Sequence, residues 1–347
     1  MASLKPETWN LKPFLSPETG NRKPSLYILL LAALVLAGSA CQRGEPEHGA
    51  TFAVFGTQVT VTVRDVESEL AEQAFGELSR DFQRMHRQWH PWAPGALTEL
   101  NEALPSGDWL EATPELIELI KAARAMEVRS GGRFNAAMGG LIGLWGFHTS
   151  DYPITDPPPD SEQIQTLLDR KPSMQDIEVR DEQVRSTNPA VQLDFSGIAK
   201  GLAARLACQR LAGFDIEVAM IDLGGDVMVC GSGQNPWRVA IADQNDAIIE
   251  IIELDQSMAV FSSGISQRYR EFDGKRHAHI LDPTSGQPVD AIFQVTVIDP
   301  DPILADAAAT ALVVAGPDHW QSVATDMGVK RVVIVDAEGL VFRSIND

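Results

Sequence analysis

Residues 277–286 contain several side chains that could move a proton. The segment carries His277 and His279, followed by an Asp-Pro turn that ends at Gly286. Imidazole is the side chain whose ordinary pKa lies closest to neutral pH, so it can accept or donate a proton there. Asp-Pro and Ser-Gly pairs are typical of turns, which would hold the imidazoles at the end of a strand. Taken alone, the segment is equally compatible with a hairpin whose histidines have no catalytic role.

A second segment, residues 194–201, has the composition of an anion site. Gly197 and Gly201 allow a ligand to approach the backbone closely. A helix that begins here would direct free N–H groups and the positive end of its dipole at an anion, and Lys200 adds a full charge. The segment could bind a pyrophosphate, although a capped helix with a solvated lysine is the favoured interpretation of this segment taken alone.

A third segment, residues 305–310, contains two oxygen ligands at helical spacing. Asp306 and Thr310 are four residues apart, so on a helix they share one face. A carboxylate and a hydroxyl are hard donors that suit Mg²⁺, which takes few protein ligands and leaves room for substrate phosphates. The alternative is that Asp306 only caps the helix.

Three other groups of residues could complete a binding site. Aromatic residues and glycines in residues 131–147 and 89–92 could wall a flat ring system. Gly224-Gly225 predicts a turn between two strands, and residues 262–264 could hold a phosphate or only turn the chain.

The elements that must position these groups alternate without a strict βαβ rhythm. Helices are predicted at residues 65–89, 114–129, 162–168, 198–211 and 306–314, with another from about residue 318. Strands are predicted within 51–63, where a kink divides two strands, and at 218–222, 227–230, 237–242, 248–253, 258–261, 293–298, 331–335 and 340–343. This order predicts an α+β fold with mixed, largely antiparallel sheets and packed helices. The sequence has no Rossmann glycine motif, P-loop, Cys-x-x-Cys or His-Glu-x-x-His motif.

Composition limits the class of protein. The chain has 347 residues, of which 44% are hydrophobic and 22% charged, as in ordinary globular proteins. Its net charge of −20 argues against nucleic-acid binding through a phosphate-neutralising surface. Only Cys208 and Cys230 follow Cys41; they could pair, but spacing alone does not show it, and buried free thiols are the favoured interpretation.

The N-terminus resembles an export signal. Arg22 and Lys23 precede an apolar run of signal-peptide length that ends in small residues and Cys41. We predict a bacterial lipoprotein signal over residues 1–40, a lipidated Cys41, a polar tether over residues 41–49 and a catalytic domain over residues 50–347. Simple cleavage after Ala40 is the alternative. The lipoprotein interpretation predicts anchoring to the bacterial cell membrane on its periplasmic face.

Together these segments resemble the FAD:protein FMN transferases, also called ApbE-type flavin transferases. The resemblance covers roughly residues 51–316 and rests on motifs in the same order as in that family. They are residues 55–57, 132–135, 144–147, 194–201, 224–226, 263–264, 279–288 and 305–310. Phe55, Asn135, Arg205 and Ser285 depart from the family's usual residues. Asn135 matters most, because it replaces a carboxylate with an amide.

The resemblance implies a reaction and a set of site residues. FAD is the substrate, its pyrophosphate is cleaved, and FMN passes to a Thr or Ser of an acceptor redox protein with release of AMP. Mg²⁺ would be held by Asp306, Thr310 and the Gly197 carbonyl, Lys200 would lie near the phosphates, and His279 is predicted to be the general base. The positions that match flavin contacts are Phe55, Trp92, Arg133, Phe134, Asn135, Asp194 and Leu281. FAD hydrolysis to FMN and AMP, or flavin binding by a lipoprotein without turnover, are the alternatives.

Overall fold

The computed structural model describes residues 47–243 and 247–345. The predicted signal, Cys41 and the first part of the tether lie outside these residues. The tether prediction is wrong at its end, because the first strand already begins at Glu47 and pairs with Arg64. Hydrogen bonding to a neighbouring strand therefore starts before the sequence loses its polar character.

Seven helices and fifteen strands lie within the described residues. The helices are α1 Ser68–Gln88, α2 Ala96–Ala103, α3 Pro114–Arg129, α4 Gly139–Leu144, α5 Ser161–Leu168, α6 Ala199–Ala212 and α7 Pro302–Met327. The strands are β1 Glu47–Val54, β2 Thr57–Arg64, β3 Leu110–Glu111, β4 Ile177–Arg180, β5 Gln183–Ser186, β6 Ala219–Leu223, β7 Val227–Cys230, β8 Trp237–Ala242, β9 Ile248–Leu254, β10 Met258–Gly264, β11 Tyr269–Phe272, β12 Lys275–Ala278, β13 Ile292–Asp299, β14 Arg331–Asp336 and β15 Val341–Ile345.

One antiparallel sheet of eight strands forms the framework. Its strand order is β1-β2-β6-β7-β10-β13-β14-β15, and every neighbouring pair is antiparallel. Three small sheets, β3-β5-β4, β8-β9 and β11-β12, stand apart from it. The predicted α+β class with largely antiparallel sheets is confirmed.

Helices α6 and α7 lie at the centre of the main core. Helix α7 packs on β10, β13 and α6. Its first half is a run of small apolar residues, which lets a helix approach a sheet and a second helix closely. The two predicted helices at 306–314 and from 318 form this one element, with a break at Gly316, whose φ is 72°. Gly316 and Pro317 cause the break, because proline cannot donate to the preceding turn.

The interpretation of Cys208 and Cys230 as free thiols is wrong. Their sulfur atoms form a disulfide between α6 and β7, with the two Cα atoms 5.7 Å apart. Spacing could not reveal this pair, because a helix and a non-neighbouring strand bring the residues together. Among the residues that the structure describes, no helix is long and apolar enough to cross a membrane.

Candidate active site

A cavity of about 1160 Å³ opens beside the first turn of α6 and the first half of α7. The residues that line it come from segments far apart in the sequence, from the β1–β2 turn to α7. Every predicted site residue within the described chain lines this cavity: Phe55, Trp92, Arg133, Phe134, Asn135, Asp194, Gly197, Lys200, His279, Leu281, Asp306 and Thr310. The fold therefore brings together residues that the sequence separates by more than 250 positions.

Asp194 is buried at the cavity wall, and both oxygens of its carboxylate have hydrogen-bonding partners. Its Oδ1 accepts hydrogen bonds from the amide and hydroxyl of Ser196, and His148 Nε2 lies 3.0 Å from its Oδ2. Burial alone would raise the pKa of Asp194, but the hydrogen bonds from His148 and Ser196 outweigh it and lower that pKa. Asp194 is therefore an anion that fixes the turn leading into α6.

Asp306 is held at the N-terminus of α6 by an unusually close contact between helices. A Cβ added to Gly201 would lie 2.4 Å from the carbonyl oxygen of Pro302, so only glycine allows α6 and α7 to approach here. As a result, Asp306 Oδ2 accepts a hydrogen bond of 2.8 Å from the Gly201 amide. Burial, together with the nearby Asp226 carboxylate, raises the pKa of Asp306. A bound cation would therefore stabilise the ionised form of Asp306.

Thr310 lies one turn further along α7 and faces the same cavity. Its hydroxyl is 3.0 Å from the Ser263 hydroxyl. A Cβ on Gly197 would lie 3.2 Å from Thr310 Oγ1, so the backbone of Gly197 adjoins this hydroxyl. A carboxylate, a hydroxyl and a peptide carbonyl in one place are hard oxygen donors, which is the ligand chemistry of Mg²⁺. The described residues contain no group of three or more His, Cys, Asp or Glu residues suited to a metal, so a cation here would rely on oxygens of these three kinds.

Lys200 forms an ion pair with Asp226, a residue that was not predicted to have a role in the site. Its Nζ contacts Asp226 Oδ2, while Asp226 Oδ1 accepts a 2.8 Å hydrogen bond from the Ser262 amide. Burial lowers the pKa of Lys200, but the carboxylates of Asp226 and Asp306 outweigh burial and raise it. Lys200, Asp226, Asp306 and Thr310 are called the charged cluster below.

His279 is a buried imidazole with a defined tautomer. Its Nδ1 lies 3.1 Å from the backbone carbonyl oxygen of Arg268, which can only accept, so Nδ1 carries the proton and Nε2 keeps its lone pair. Burial, with Arg268 nearby, lowers the pKa of His279 to about 4. His277, in contrast, lies on β12 against Trp145 and does not line the cavity. Only one of the two imidazoles therefore faces the site.

A chain of contacting aromatic rings, whose histidines were not predicted from the sequence, lies along another part of the cavity. Phe55, His86, His90 and Trp92 line the cavity, and His148, which does not, stacks on Trp92. Ring centroids are 6.0 Å apart for Phe55 and His86, 5.3 Å for His86 and His90, 4.3 Å for His90 and Trp92, and 5.4 Å for Trp92 and His148. These five residues are called the aromatic cluster below. His86 and His90 lie one helical turn apart around the end of α1, a spacing that could have signalled them.

Backbone contacts orient the aromatic cluster. His90 Nδ1 accepts hydrogen bonds from the backbone amides of Trp92 and Ala93, and His86 Nδ1 accepts one from the backbone amide of Phe55. Phe55 has a positive φ of 55° in the two-residue turn between β1 and β2. This strained conformation aims its ring at His86 rather than at solvent.

The side-chain amide of Asn135 is hydrogen-bonded to its own loop and to the loop that contains Pro172. Its Nδ2 donates to the Pro172 carbonyl and its Oδ1 accepts the Ala137 amide, each at 2.9 Å. A carboxylate could not make the first of these bonds, so asparagine suits this loop. Arg205, another departure from the family pattern, pairs with Glu118 and does not line the cavity.

Comparison with known proteins decides the family. The sequence profile of the ApbE family matches residues 55–333. The chain belongs to the ApbE family. Its relatives include a FAD:protein FMN transferase of Rhodobacter capsulatus, 38% identical over 91% of this chain and 61% of the relative, and one of Klebsiella pneumoniae (strain 342), 28% identical over 90% of this chain and 92% of the relative. The chain thus spans less than two thirds of the Rhodobacter protein.

Solved ApbE structures share the fold. The crystal structure of the ApbE protein from Thermotoga maritima superposes with a TM-score of 0.77 at 31% identity, covering 86% of this chain and 97% of that one. The apo form of the flavinyl transferase ApbE from Pseudomonas stutzeri gives 0.76 at 28% identity, covering 86% and 95%. The fold of this chain is therefore the ApbE fold, as the resemblance in sequence predicted.

Proposed function

We propose that this ApbE protein is an FAD:protein FMN transferase. It cleaves the pyrophosphate of FAD, attaches FMN through a phosphoester to a Thr or Ser of an acceptor redox protein, and releases AMP. The observation that carries the proposal is the shared cavity, where an acidic and hydroxyl pair, a lysine, a neutral imidazole and a ring-lined wall meet. The relatives named FAD:protein FMN transferase support the same activity.

We assign the cation-binding role to Asp306, Thr310 and the Gly197 carbonyl. The fit rests on donor chemistry, since all three are hard oxygens and the Asp306 carboxylate is 5% exposed. When bound, Mg²⁺ neutralises charge on the pyrophosphate and so favours loss of the AMP group. The two side chains enter from one face of α7, which keeps their spacing fixed.

Lys200 would bind the phosphate oxygens beside this position. It projects from the first turn of α6, where the positive end of the helix dipole favours an anion. A preorganised ammonium stabilises negative charge as it moves to the leaving phosphate. Its pairing with Asp226 holds it in the cavity before the substrate arrives.

His279 would remove the proton from the acceptor hydroxyl. The Arg268 carbonyl fixes the proton on Nδ1, so Nε2 is the atom that accepts. The lowered pKa keeps the ring neutral at pH 7, which a base requires. Bound phosphates would raise that pKa, because a nearby anion stabilises imidazolium.

The flavin and adenine rings of FAD would lie against the aromatic part of the cavity wall. Phe55, Phe134 and Trp92 offer ring faces, and Leu281 offers an apolar contact. Arg133, Asn135 and Asp194 are the polar positions that match the family's flavin contacts. The side-chain amide of Asn135 is already hydrogen-bonded to Pro172 and Ala137, so we expect it to shape the pocket more than to contact the flavin ring directly.

One assay tests the proposal against its two alternatives. The protein from Cys41 onward is incubated with FAD, Mg²⁺ and a candidate acceptor, and acceptor mass and AMP are measured. A gain of one FMN with matching AMP supports transfer. AMP without that gain indicates FAD hydrolysis, in which water replaces the hydroxyl. Bound FAD with neither product indicates a binding protein and would refute the proposed activity.

We also propose that the enzyme is lipid-anchored to the bacterial cell membrane on its periplasmic face. The support is the sequence of residues 1–41, with its basic residues, apolar run and small residues before Cys41. Fractionation of cells that express the wild-type chain or Cys41→Ser tests this. The wild type should sediment with membranes and the variant should not, whereas equal distribution would contradict the anchor.

A further inference from the structure

Lys200 interacts with two buried carboxylates but forms an ion pair with only one of them. Asp226 is 4% exposed and Asp306 is 5% exposed, and both interact electrostatically with the Lys200 ammonium. The ion pair nevertheless joins Lys200 to Asp226. Asp306, which carries the proposed cation role, has the Gly201 amide as its hydrogen-bonding partner instead.

The position of Asp226 is fixed by the backbone around it. Its Oδ1 accepts the Ser262 amide from β10 at 2.8 Å, which leaves Oδ2 for Lys200. The turn before it, Gly224-Gly225, has φ values of 73° and 98°. A Cβ on Gly224 would lie 2.1 Å from Thr57 Oγ1, so this turn packs closely against β2. The carboxylate therefore has little freedom to turn away from Lys200.

An ammonium group and a divalent cation compete for the same carboxylate. Asp226 and Asp306 are the carboxylates that favour the charged form of Lys200. Without Asp226, the ammonium would therefore be attracted to Asp306, and any metal would first have to displace it. A buried charge without an opposite charge nearby also destabilises the folded protein, so the Lys200 ammonium would bind to the carboxylate that remains. We infer that Asp226 is a positioning residue that holds the Lys200 ammonium away from Asp306 and so keeps Asp306 available to a divalent cation.

This inference rests on the proposed function only through the assignment of Asp306 as a metal ligand. Its test measures metal binding without FAD or acceptor, using Mn²⁺ as the probe and electron paramagnetic resonance to count free Mn²⁺. Asp226→Asn should weaken Mn²⁺ binding by about tenfold or more, a loss of one close charge interaction. Unchanged affinity in Asp226→Asn would overturn the inference while leaving the metal assignment intact. An unsubstituted protein that binds no Mn²⁺ would overturn both.

A matched control comes from the same turn. Asp222 accepts the Gly225 amide and does not line the cavity. Asp222→Asn keeps that acceptor and should leave Mn²⁺ affinity unchanged. A loss equal to that of Asp226→Asn would show that the turn, rather than the ion pair, is responsible, and would overturn the inference.

A thermodynamic cycle separates positioning from simple attraction of the cation by Asp226. In a Lys200→Gln background no ammonium competes, so Asp226→Asn should weaken Mn²⁺ binding less than it does beside Lys200. An equal or larger loss in that background would mean that Asp226 only attracts the cation, against the inference.

A crystal structure with Mn²⁺ gives a test that needs no variant to fold. Lys200 Nζ should remain within hydrogen-bonding distance of the Asp226 carboxylate while the metal is bound to Asp306. Lys200 bound to Asp306, or released from both carboxylates, would overturn the inference.

Discussion

The charged cluster and the aromatic cluster are held in place by different forces. In the charged cluster, Asp226 and Asp306 are almost completely buried, and backbone amides fix their oxygens. In the aromatic cluster, Trp92 is 36% exposed and contacts its neighbours mainly through ring faces and edges. Directional bonds in a buried site tolerate little change, whereas aromatic rings in contact near solvent can repack. Substitutions should therefore affect the rate at one cluster and substrate binding at the other.

Removal of Asp306 is expected to have the largest effect. Asp306→Ala should lower Mg²⁺-dependent turnover of FAD by about three orders of magnitude or more, because it deletes the only carboxylate of the proposed metal site. Asp326→Ala, an exposed position on the same helix, is the control and should retain activity. Release of AMP from FAD measures both. Activity that persists in Asp306→Ala would show that the metal binds elsewhere.

Loss of the imidazole comes next. His279→Ala should reduce the rate of FMN transfer by about two to four orders of magnitude, the usual contribution of a general base, with FAD binding retained. His277→Ala, two residues away but outside the cavity, should reduce it far less. Single-turnover transfer and FAD titration separate the two properties. Equal losses in both variants would point to a structural role of the segment.

A smaller effect, on stability, is expected at the contact between α6 and α7. Gly201→Ala places a methyl group against the Pro302 backbone and should lower the free energy of unfolding by about 1–3 kcal/mol. Gly76→Ala in α1 is the control: nothing lies within 4 Å of its Cβ, so it should stabilise the protein by about 0.5–1 kcal/mol. Urea unfolding measures both. If Gly201→Ala is neutral, the two helices can move apart and the charged cluster is less rigid than described.

At the aromatic cluster we expect a change in binding and little change in rate. Trp92→Ala should cost about 0.5–1.5 kcal/mol of stacking and raise the KM for FAD by about three- to tenfold, with kcat nearly unchanged. Trp109→Ala is the control, since Trp109 packs under Arg180 and Arg185 away from the cavity. A fall in kcat of the size seen for His279→Ala would contradict the division between the clusters.

The smallest effect concerns pH. Because the pKa of His279 is lowered to about 4, its ring is already neutral above about pH 5, and kcat/KM, which reports the free enzyme, should be nearly flat between pH 6 and 8. Activity should fall only as pH drops toward 4, where the ring gains its proton. The measurement uses saturating Mg²⁺, which keeps Asp306 ionised. An acid limb near 6.5 that disappears in His279→Ala would show that the ring has an ordinary pKa.

Local patterns predicted the parts of the fold that local interactions determine. Thr113 caps α3 by accepting the Leu116 amide, as the Thr-Pro pair indicates. The β1–β2 hairpin and the long helices follow from periodicity in the same way. The short strands β3, β4, β5 and β11 were not predicted, because two to four residues that include polar side chains give no readable pattern, whereas the equally short β7 is continuously apolar.

The predicted site residues came from motifs, whereas their partners came only from the three-dimensional structure. Lys200 was predicted, but Asp226 was not recognised as its partner, since the two meet across 26 positions. His148 was likewise missed, although it links Trp92 to Asp194. No spacing rule relates such residues, because the pairing depends on how helix, strand and loop pack together.

The disulfide limits the conditions under which this protein can be prepared. Cys208 and Cys230 join α6, whose first turn carries Lys200, to β7, which follows Asp226 directly, so the disulfide cross-links the two elements that carry the ion pair. A bond that closes a loop of this size contributes about 3 kcal/mol. It persists only where glutathione does not keep thiols reduced. Protein prepared in a reducing cytosol would therefore have a lower free energy of unfolding than the oxidised form.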